Sequence, residues 1–144
     1  MFSKACEYGI RSAIYIAEQS LLNRKVSLKE VSGAIDSPEA YTSKILQQLS
    51  RSKVIHSDKG PTGGFSMAPS SLEKVKLSSI VKAIDGDGIY HGCGLGLKSC
   101  NEKKPCPVHY QFKAIRDELK EMLETTSVKA LAQGHKEGLT FLKR

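Results

Sequence analysis

The chain has 144 residues, a formal net charge of +7 at pH 7, 40% hydrophobic residues and 26% charged residues. These values are ordinary for a folded protein, which at this length can bury a core without disulfides, so a disordered chain is excluded. No apolar run approaches the roughly 18 residues of a membrane-spanning helix, and the charged N-terminal residues Lys4, Glu7 and Arg11 argue against a signal peptide. We therefore expect a cytoplasmic protein with reduced thiols, whose basic charge permits nucleic-acid binding without locating it.

The N-terminal residues carry the pattern of a helix. Over residues 3–18, small and apolar residues recur at three- and four-residue spacings: Ala5, Cys6, Gly9, Ile10, Ala13, Ile14 and Ala17. This spacing predicts a helix that packs inward, with small side chains that allow close approach. Cys6 lies on the stripe, so we interpret it as a buried small hydrophobe, whereas Glu7 lies off the stripe and stays available.

Two shorter helices are predicted next. The pattern Ser27-x-x-Glu30 is a capping box, which satisfies the free amides at a helix start and predicts a helix over residues 28–34. Ser37 before Pro38 predicts the cap and first position of another helix, which extends to about residue 52. Such a pair forms a helix-turn-helix, whose second helix can enter the major groove of DNA. Helical hairpins without DNA partners share this pattern.

A β-hairpin is predicted directly after that pair. Residues 54–57 and 65–68 have strand-forming composition, and the glycines and proline of 58–64 predict a turn. A hairpin in this place makes a winged helix, in which glycines let the backbone approach phosphates and Lys59 can reach a groove. The candidate DNA-binding residues are Pro38, Tyr41, Thr42, Ser43, Lys44 and Gln47 of the helix and Lys59, Gly60, Gly63 and Gly64 of the wing. A glycine-rich loop that only turns is the alternative.

The C-terminal half predicts three further helices. One contains Leu77, Ile80, Val81 and Ile84 and ends at the glycines after Asp85, and a last short one begins near Ser127. Between them lies a row of apolar residues at spacings of four and three: Val108, Phe112, Ile115, Leu119 and Met122. This row is the narrow seam of a two-heptad coiled coil, so we expect it to be the interface of a homodimer.

Three cysteines and a histidine are clustered before that seam. Cys93, Cys100, Cys106 and His109 indicate metal or redox chemistry in a reducing compartment, not a disulfide framework. Soft thiolates select zinc, copper(I) or iron-sulfur clusters, and zinc loops usually contain Cys-x-x-Cys knuckles, which this loop lacks. Its long intervals, glycines and lysines favour a bulkier, negatively charged cluster. A zinc site and a thiol-only redox site are the alternatives.

Four motifs occur in a fixed order along the chain. They are CEYGIR at 6–11, YTSKILQQL at 41–49, KGPTGGF at 59–65 and the three-cysteine loop. Together they resemble the Rrf2 family of bacterial winged-helix transcription regulators, over residues 1 to about 130. The resemblance implies a homodimer whose two recognition helices bind a partly palindromic operator. In the cluster-binding branch of the family it also implies an iron-sulfur cluster held by Cys93, Cys100 and Cys106.

The resemblance offers two candidates for a fourth ligand. IscR-like members use a histidine shortly after the third cysteine, which matches His109, whereas NsrR-like members can use an acidic residue of the first helix from the partner subunit, which matches Glu7. The first cysteine interval has six residues where IscR-like loops tend to have five, so a 2Fe-2S and a 4Fe-4S cluster both stay open. Lys59 stands where many members carry arginine, and a lysine is a point charge instead of a planar fork.

The sequence thus predicts a mainly α-helical fold with a small β-hairpin wing. Residues 1–88 are the winged helix-turn-helix domain, 89–109 the cysteine-rich cluster-binding loop and 110–144 the dimerisation helix and tail. The expected function is a dimeric DNA-binding transcriptional repressor whose operator binding depends on a cluster that senses iron, redox state or nitric oxide. An enzyme is not expected, because the chain shows no nucleophile motif and no phosphate loop. A membrane or small-molecule substrate is not expected either, and a winged helix that binds only proteins is a further alternative.

Overall fold

The computed structural model describes residues 1–144 and contains seven α-helices and one two-stranded sheet. The predicted fold class, mainly α-helical with a small hairpin, is confirmed. None of the helices combines the length and apolarity needed to span a bilayer. In chain order the elements are α1 Lys4–Leu21, α2 Leu28–Ile35, α3 Glu39–Arg51, β1 His56–Asp58, β2 Gly64–Ser66, α4 Pro69–Lys74, α5 Leu77–Asp85, a 3-10 turn at Gly88–Tyr90, α6 His109–Thr125 and α7 Val128–Lys136.

Helix α1 lies at the centre of the molecule and contacts α2, α3, α5 and α7. It extends one turn beyond the predicted end, and Ser3 caps its start by accepting from the Cys6 amide. The small residues allow the expected close approach, because a Cβ at Gly9 would lie 2.2 Å from Ile84 Cδ1 of α5. Cys6 is fully buried, and this burial, with Asp85 nearby, raises the pKa of its thiol to about 12. Its interpretation as a buried hydrophobe is confirmed.

Helices α2 and α3 form the predicted pair, with one difference at the start of α3. Both hydrogen bonds of the Ser27 and Glu30 capping box are present. The chain then turns through Asp36, whose φ of 51° ends α2. Pro38, not Ser37, occupies the N-cap position of α3, and no side chain caps it. The Ser37 hydroxyl instead lies 2.5 Å from the Thr42 hydroxyl, so the predicted Ser37 cap is wrong.

The wing is shorter than predicted and is attached to the helices. Strands β1 and β2 pair antiparallel, and a further bridge joins Phe65 to Val26 in the link between α1 and α2. Val54 and Ile55, expected to start the first strand, are buried in the helical core instead. Helix α4 was not predicted, although a proline in its first turn and the buried Leu72 are consistent with a short helix.

The C-terminal helices return to the same core. Helix α6 packs on α5 and on the 3-10 turn, while α7 packs on α1. A bridge between Lys76 and Ser127 holds the α6–α7 link against the start of α5. Leu123, Val128 and Ala132 are fully buried members of the one hydrophobic cluster that also contains α1 and α3. One core therefore supports both the helix-turn-helix and the end of α6.

Candidate functional site

The exposed face of α3 carries most of the predicted DNA contacts. Lys44 and Gln47 are exposed and Ser43 is half-exposed, whereas the opposite face buries Ile45 and Leu49 with Leu46. Pro38 is exposed at the start of the helix, and Tyr41 is 37% exposed. The helix thus offers a polar first two turns of the kind that enters a major groove.

Thr42 does not belong to that face. It is 0% exposed, and its hydroxyl donates to the Pro38 carbonyl at 2.8 Å and contacts the Ser37 hydroxyl. The prediction that its side chain contacts DNA is therefore corrected: Thr42 stabilises the turn between α2 and α3. Its spacing of three and seven residues before Ile45 and Leu49 places it on the buried stripe, which is the sequence signal for this role.

The wing presents Lys59 and Gly60 at an exposed tip, where Gly60 has a φ of +94°. Gly63 and Gly64 have a different task. A Cβ at Gly63 would lie 2.3 Å from the Asp58 carbonyl oxygen, and one at Gly64 would lie 2.8 Å from the Val26 carbonyl oxygen. Any larger side chain at these two positions would clash with the backbone, so the packing of the hairpin requires glycine there.

A charged group attaches strand β1 of the wing to the link between α1 and α2. Lys25, in the link between α1 and α2, forms an ion pair with Asp58 of β1, and His56 Nε2 lies 2.8 Å from the other Asp58 oxygen. The hydrogen bonds from Lys25 and then His56 lower the pKa of the Asp58 carboxyl. The wing is therefore held by a side-chain contact as well as by the Phe65 bridge.

The cysteine loop, residues 91–108, joins the 3-10 turn to α6 and is exposed over most of its length. All three of its cysteines are free and partly exposed. The backbone N–H groups of Leu95 and Leu97 donate to the Cys93 sulfur and lower the pKa of its thiol, and the Cys106 side chain contributes in the same direction. Cys93 and Cys106 are thus neighbours, and the loop supplies amide donors that stabilise negative charge on sulfur.

Cys100 forms a second group with two residues of α6. His109, the first residue of α6, places its Nδ1 3.3 Å from Cys100 Sγ, and Arg116 Nη2 donates to the same sulfur at 3.0 Å. Arg116 Nη1 also donates to the Gly92 carbonyl, which ties the beginning of the loop to the helix. His109 is only 3% exposed, and its Nε2 has no hydrogen-bond partner. It is a buried residue, not a solvated helix cap.

Arg116 was not predicted as a site residue, although its spacing from His109 indicates that it lies on the same face of α6. His109, Lys113 and Arg116 follow at intervals of four and three, so they share one face of α6. A cavity of about 570 Å³ lies over this face. It is predominantly basic and is lined by Tyr90, His91, Lys98, Ser99, Cys100, Glu102, His109, Lys113 and Arg116.

The donor set can be compared with the chemistry of a metal cluster. Three thiols and an imidazole lie in one exposed loop and the helix start that follows it, and His109 Nε2 is a buried nitrogen without a partner. These are the donors that iron-sulfur clusters use, and the surrounding N–H and cationic groups suit charged sulfur ligands. The donors stand as two pairs, Cys93 with Cys106 and Cys100 with His109. No group of three or more such side chains is arranged to hold a metal ion.

Glu7, the alternative fourth ligand, lies on the exposed face of α1. Its carboxylate pairs with Lys4 at 3.1 Å, and its side chain is 46% exposed. A surface carboxylate held only by such a pair is free to change partners, because exposed ion pairs contribute about 1 kcal/mol or less. Glu7 is therefore accessible to a second subunit.

The predicted seam on α6 is largely uncovered. Phe112, Ile115 and Met122 are 37%, 56% and 46% exposed, while Val108 and Leu119 are half-buried. Leu123, four residues after Leu119, adjoins the seam on the face that also carries His109, and both of these residues are buried. Contiguous exposed apolar surface of this kind is typical of a protein interface.

Comparison with known proteins assigns the chain to a family. The family model of Rrf2, described as an iron-dependent transcriptional regulator, matches residues 2–134. The chain belongs to the Rrf2 family. A protein of Aquifex aeolicus (strain VF5) assigned as an HTH-type transcriptional regulator is 27% identical over 133 residues, covering 91% of this chain and 90% of that protein. These relatives confirm the prediction of a transcription regulator in place of an enzyme.

Solved structures of Rrf2 regulators have the same fold. CymR, the global cysteine regulator of B. subtilis, superposes with a TM-score of 0.76 at 22% identity, covering 92% of this chain and 96% of that one. IscR of T. potens superposes with a TM-score of 0.72 at 16% identity, covering 97% and 91%. At these identities the likeness establishes the winged-helix architecture shared by the family.

Proposed function

We propose that this Rrf2 protein is a homodimeric DNA-binding repressor whose operator affinity is controlled by an iron-sulfur cluster held by Cys93, Cys100 and Cys106. The observation that carries the proposal is the position of His109 at the first residue of α6, with its Nδ1 3.3 Å from Cys100 Sγ. The helix that begins there presents the apolar seam. One helix therefore connects the sulfur ligands to the surface that sets the spacing of two DNA-reading heads.

A cluster supplies a negatively charged centre that responds to iron supply, redox state or nitric oxide. The residues around it in this chain have separate tasks. The amides of Leu95 and Leu97 stabilise charge on Cys93, and Arg116 donates to Cys100. Lys98 and Lys113 line the adjacent cavity and offset negative charge. His109 supplies the fourth protein ligand in this proposal, and Glu7 of the partner subunit is the alternative.

The dimer is proposed from the seam. Covering Phe112, Ile115 and Met122 by the same residues of a second copy removes a row of exposed apolar side chains from water, which favours association. A twofold dimer places two α3 helices and two wings for a partly palindromic site. In each head Ser43, Lys44 and Gln47 are offered to base edges, and Lys59 to the phosphates.

Anaerobic purification followed by an absorbance spectrum and iron and sulfide assays tests the cluster. We expect visible absorbance together with iron and acid-labile sulfide in the full-length protein. A colourless protein without iron and sulfide, after anaerobic purification and anaerobic reconstitution, would refute the cluster.

The fourth ligand is tested by two substitutions in the same spectrum. His109→Ala should leave a labile or spectrally shifted cluster, because a buried imidazole beside Cys100 is lost. Glu7→Ala should leave the native spectrum. The reverse pattern establishes ligation by the partner subunit.

A thiol-only sensor is the second candidate, and the pairing of Cys93 with Cys106 favours it. A thiol with a lowered pKa beside a second thiol is a site where oxidation can form a disulfide. CymR, one of the structural neighbours, has also been solved in an oxidised form, from Staphylococcus aureus. A mass loss of two hydrogens on oxidation of iron-free protein, mapped to Cys93 and Cys106, together with changed DNA binding would favour this candidate.

A further inference from the structure

Arg11 of α1 joins segments that are far apart in the sequence. Its Nη1 donates to the Ile35 carbonyl at 2.8 Å and to the Leu142 carbonyl at 3.2 Å. One guanidinium nitrogen carries two hydrogens, so both bonds can form together. Arg11 therefore connects the last residue of α2 with the C-terminal tail, residues 137–144.

The tail makes a second contact with the same helix end. Lys143 Nζ donates to the Gly33 carbonyl at 3.1 Å. The last four carbonyls of a helix have no partner within it, and cations near a helix C-terminus are favourable. Two cations, one from α1 and one from the tail, thus donate to carbonyl groups at the end of α2, immediately before the turn of the helix-turn-helix.

Arg11 also reaches the recognition helix through two aromatic rings. Its guanidinium carbon lies 4.9 Å from the centre of the Tyr8 ring, and Tyr8 packs edge-on against Tyr41 at 5.6 Å between ring centres. Cation–ring and edge-to-face contacts of this geometry are both attractive. Tyr41 lies in the first turn of α3. We call Arg11, with the Ile35 and Leu142 carbonyls and the Tyr8–Tyr41 pair, the Arg11 junction.

We infer that the Arg11 junction and the tail set the position of α3 relative to α2, and that the tail is a working part of the DNA-reading head. Arg11 is a positioning residue in this account, because its hydrogen bonds go to the protein's own carbonyls. The tail lies beyond the residues that match the family model, so the family match does not describe this contact. The inference depends on DNA binding and not on the cluster.

The test compares DNA affinities of full-length variants. The probes are a duplex selected from random DNA by the native protein and an unrelated duplex of the same length. Arg11→Gln should weaken binding to the selected duplex about tenfold, as expected when a charge-assisted hydrogen bond that orients the reading helix is lost. Binding to the unrelated duplex should change by less than about twofold, and its salt dependence should stay the same, because no phosphate contact is removed.

Lys143→Ala removes only the second cation and has a matched control in the neighbouring exposed Arg144→Ala. Lys143→Ala should weaken binding to the selected duplex about threefold, as expected for the loss of one exposed charge-assisted contact. Arg144→Ala should leave that binding unchanged. Thermal unfolding confirms that each variant is folded at the assay temperature. If Arg11→Gln does not fold, the Lys143→Ala and Arg144→Ala pair decides.

Three results would overturn the inference. The first is native affinity for the selected duplex in both Arg11→Gln and Lys143→Ala. The second is an equal effect of Lys143→Ala and Arg144→Ala on that affinity. The third is an equal loss of affinity for both duplexes with a salt slope lowered by about one, which marks a direct phosphate contact. An unchanged visible spectrum in these variants separates this test from that of the cluster.

Discussion

The DNA-reading head and the cysteine loop are built in opposite ways. The head has a continuous buried core, a complete capping box and a wing bridged to Val26, so its conformation follows from its own contacts. The loop at 91–108 is mostly exposed and is held by a few hydrogen bonds, chiefly those of Arg116. A segment with few buried contacts has low local stability, and ligand-binding loops are commonly of this kind. The chain's own contacts therefore fix the conformation of the head more firmly than that of the loop.

The sharpest way to separate the two regions is to remove thiols from each. Replacing Cys93, Cys100 or Cys106 by alanine should abolish the cluster completely and leave the thermal unfolding of the cluster-free protein unchanged, because these side chains add little to the core. Cys6→Ala is the control. It should keep the visible spectrum and lower the stability by about 1 kcal/mol, since it trims a fully buried side chain. Loss of the cluster in Cys6→Ala, with the cluster kept in a loop variant, would contradict the assignment of the ligands to the loop.

The second prediction concerns α6, which belongs to both regions. Ile115→Glu should give monomers, because a charge in the middle of the seam would be buried without a partner in both chains at a cost of several kcal/mol. Binding to a palindromic site should then be lost. Light scattering gives the mass, and Glu118→Gln, an exposed change off the seam, should remain dimeric. An unaltered dimer in Ile115→Glu would place the interface elsewhere.

The third prediction tests how rigidly the head fixes its wing. Gly64→Ala should destabilise the protein by about 2 kcal/mol or more, because alanine is strained at a φ of +142° and its Cβ would meet the Val26 carbonyl. Gly33→Ala is the opposite control, because Gly33 lies in a helix with open space around it. This change should increase the stability of the protein by up to about 1 kcal/mol. Chemical denaturation measures both. Equal stabilities would mean that the wing is not packed as described.

The smallest effects are expected from single DNA contacts. Lys59→Ala should weaken binding to selected and unrelated DNA equally, and it should reduce the slope of log affinity against log salt by about one. Ser43→Ala and Lys44→Ala should mainly reduce the difference in affinity between selected and unrelated DNA, because we propose that these two side chains face the bases. Lys136→Ala on α7 is the exposed control. Unchanged affinities in all three head variants would contradict the assignment of the DNA-binding surface.

The same contrast explains how much of the molecule could be predicted. The helices of the head were found because their caps and stripes are local, as with Ser27 and Glu30 or the small residues of α1. Errors arose where a long-range contact decided the outcome. The shortened first strand is such a case, because Val54 and Ile55 are buried in the helical core. Thr42 is the exception, since its spacing from Ile45 and Leu49 already places it on the buried stripe.

In the loop the sequence identified the chemistry but not its arrangement. The residue types of Cys93, Cys100 and Cys106 indicate a soft ligand, whatever their positions. The pairing of Cys100 with Arg116 was missed because the two are 16 residues apart and joined only by the fold. The Arg11 junction was missed for the same reason, since its partner Leu142 lies 131 residues away.

The central claim is that what the loop binds controls how the head reads DNA. Its most direct test is the affinity of one protein preparation for the duplex selected by the native protein, measured anaerobically before and after removal of the cluster with a chelator and a reductant. The account predicts a change of about tenfold or more, the usual size of coupling between two sites, with the cysteine-to-alanine variants fixed at the cluster-free value. Equal affinities before and after removal, in a protein shown to have held iron and sulfide, would contradict it.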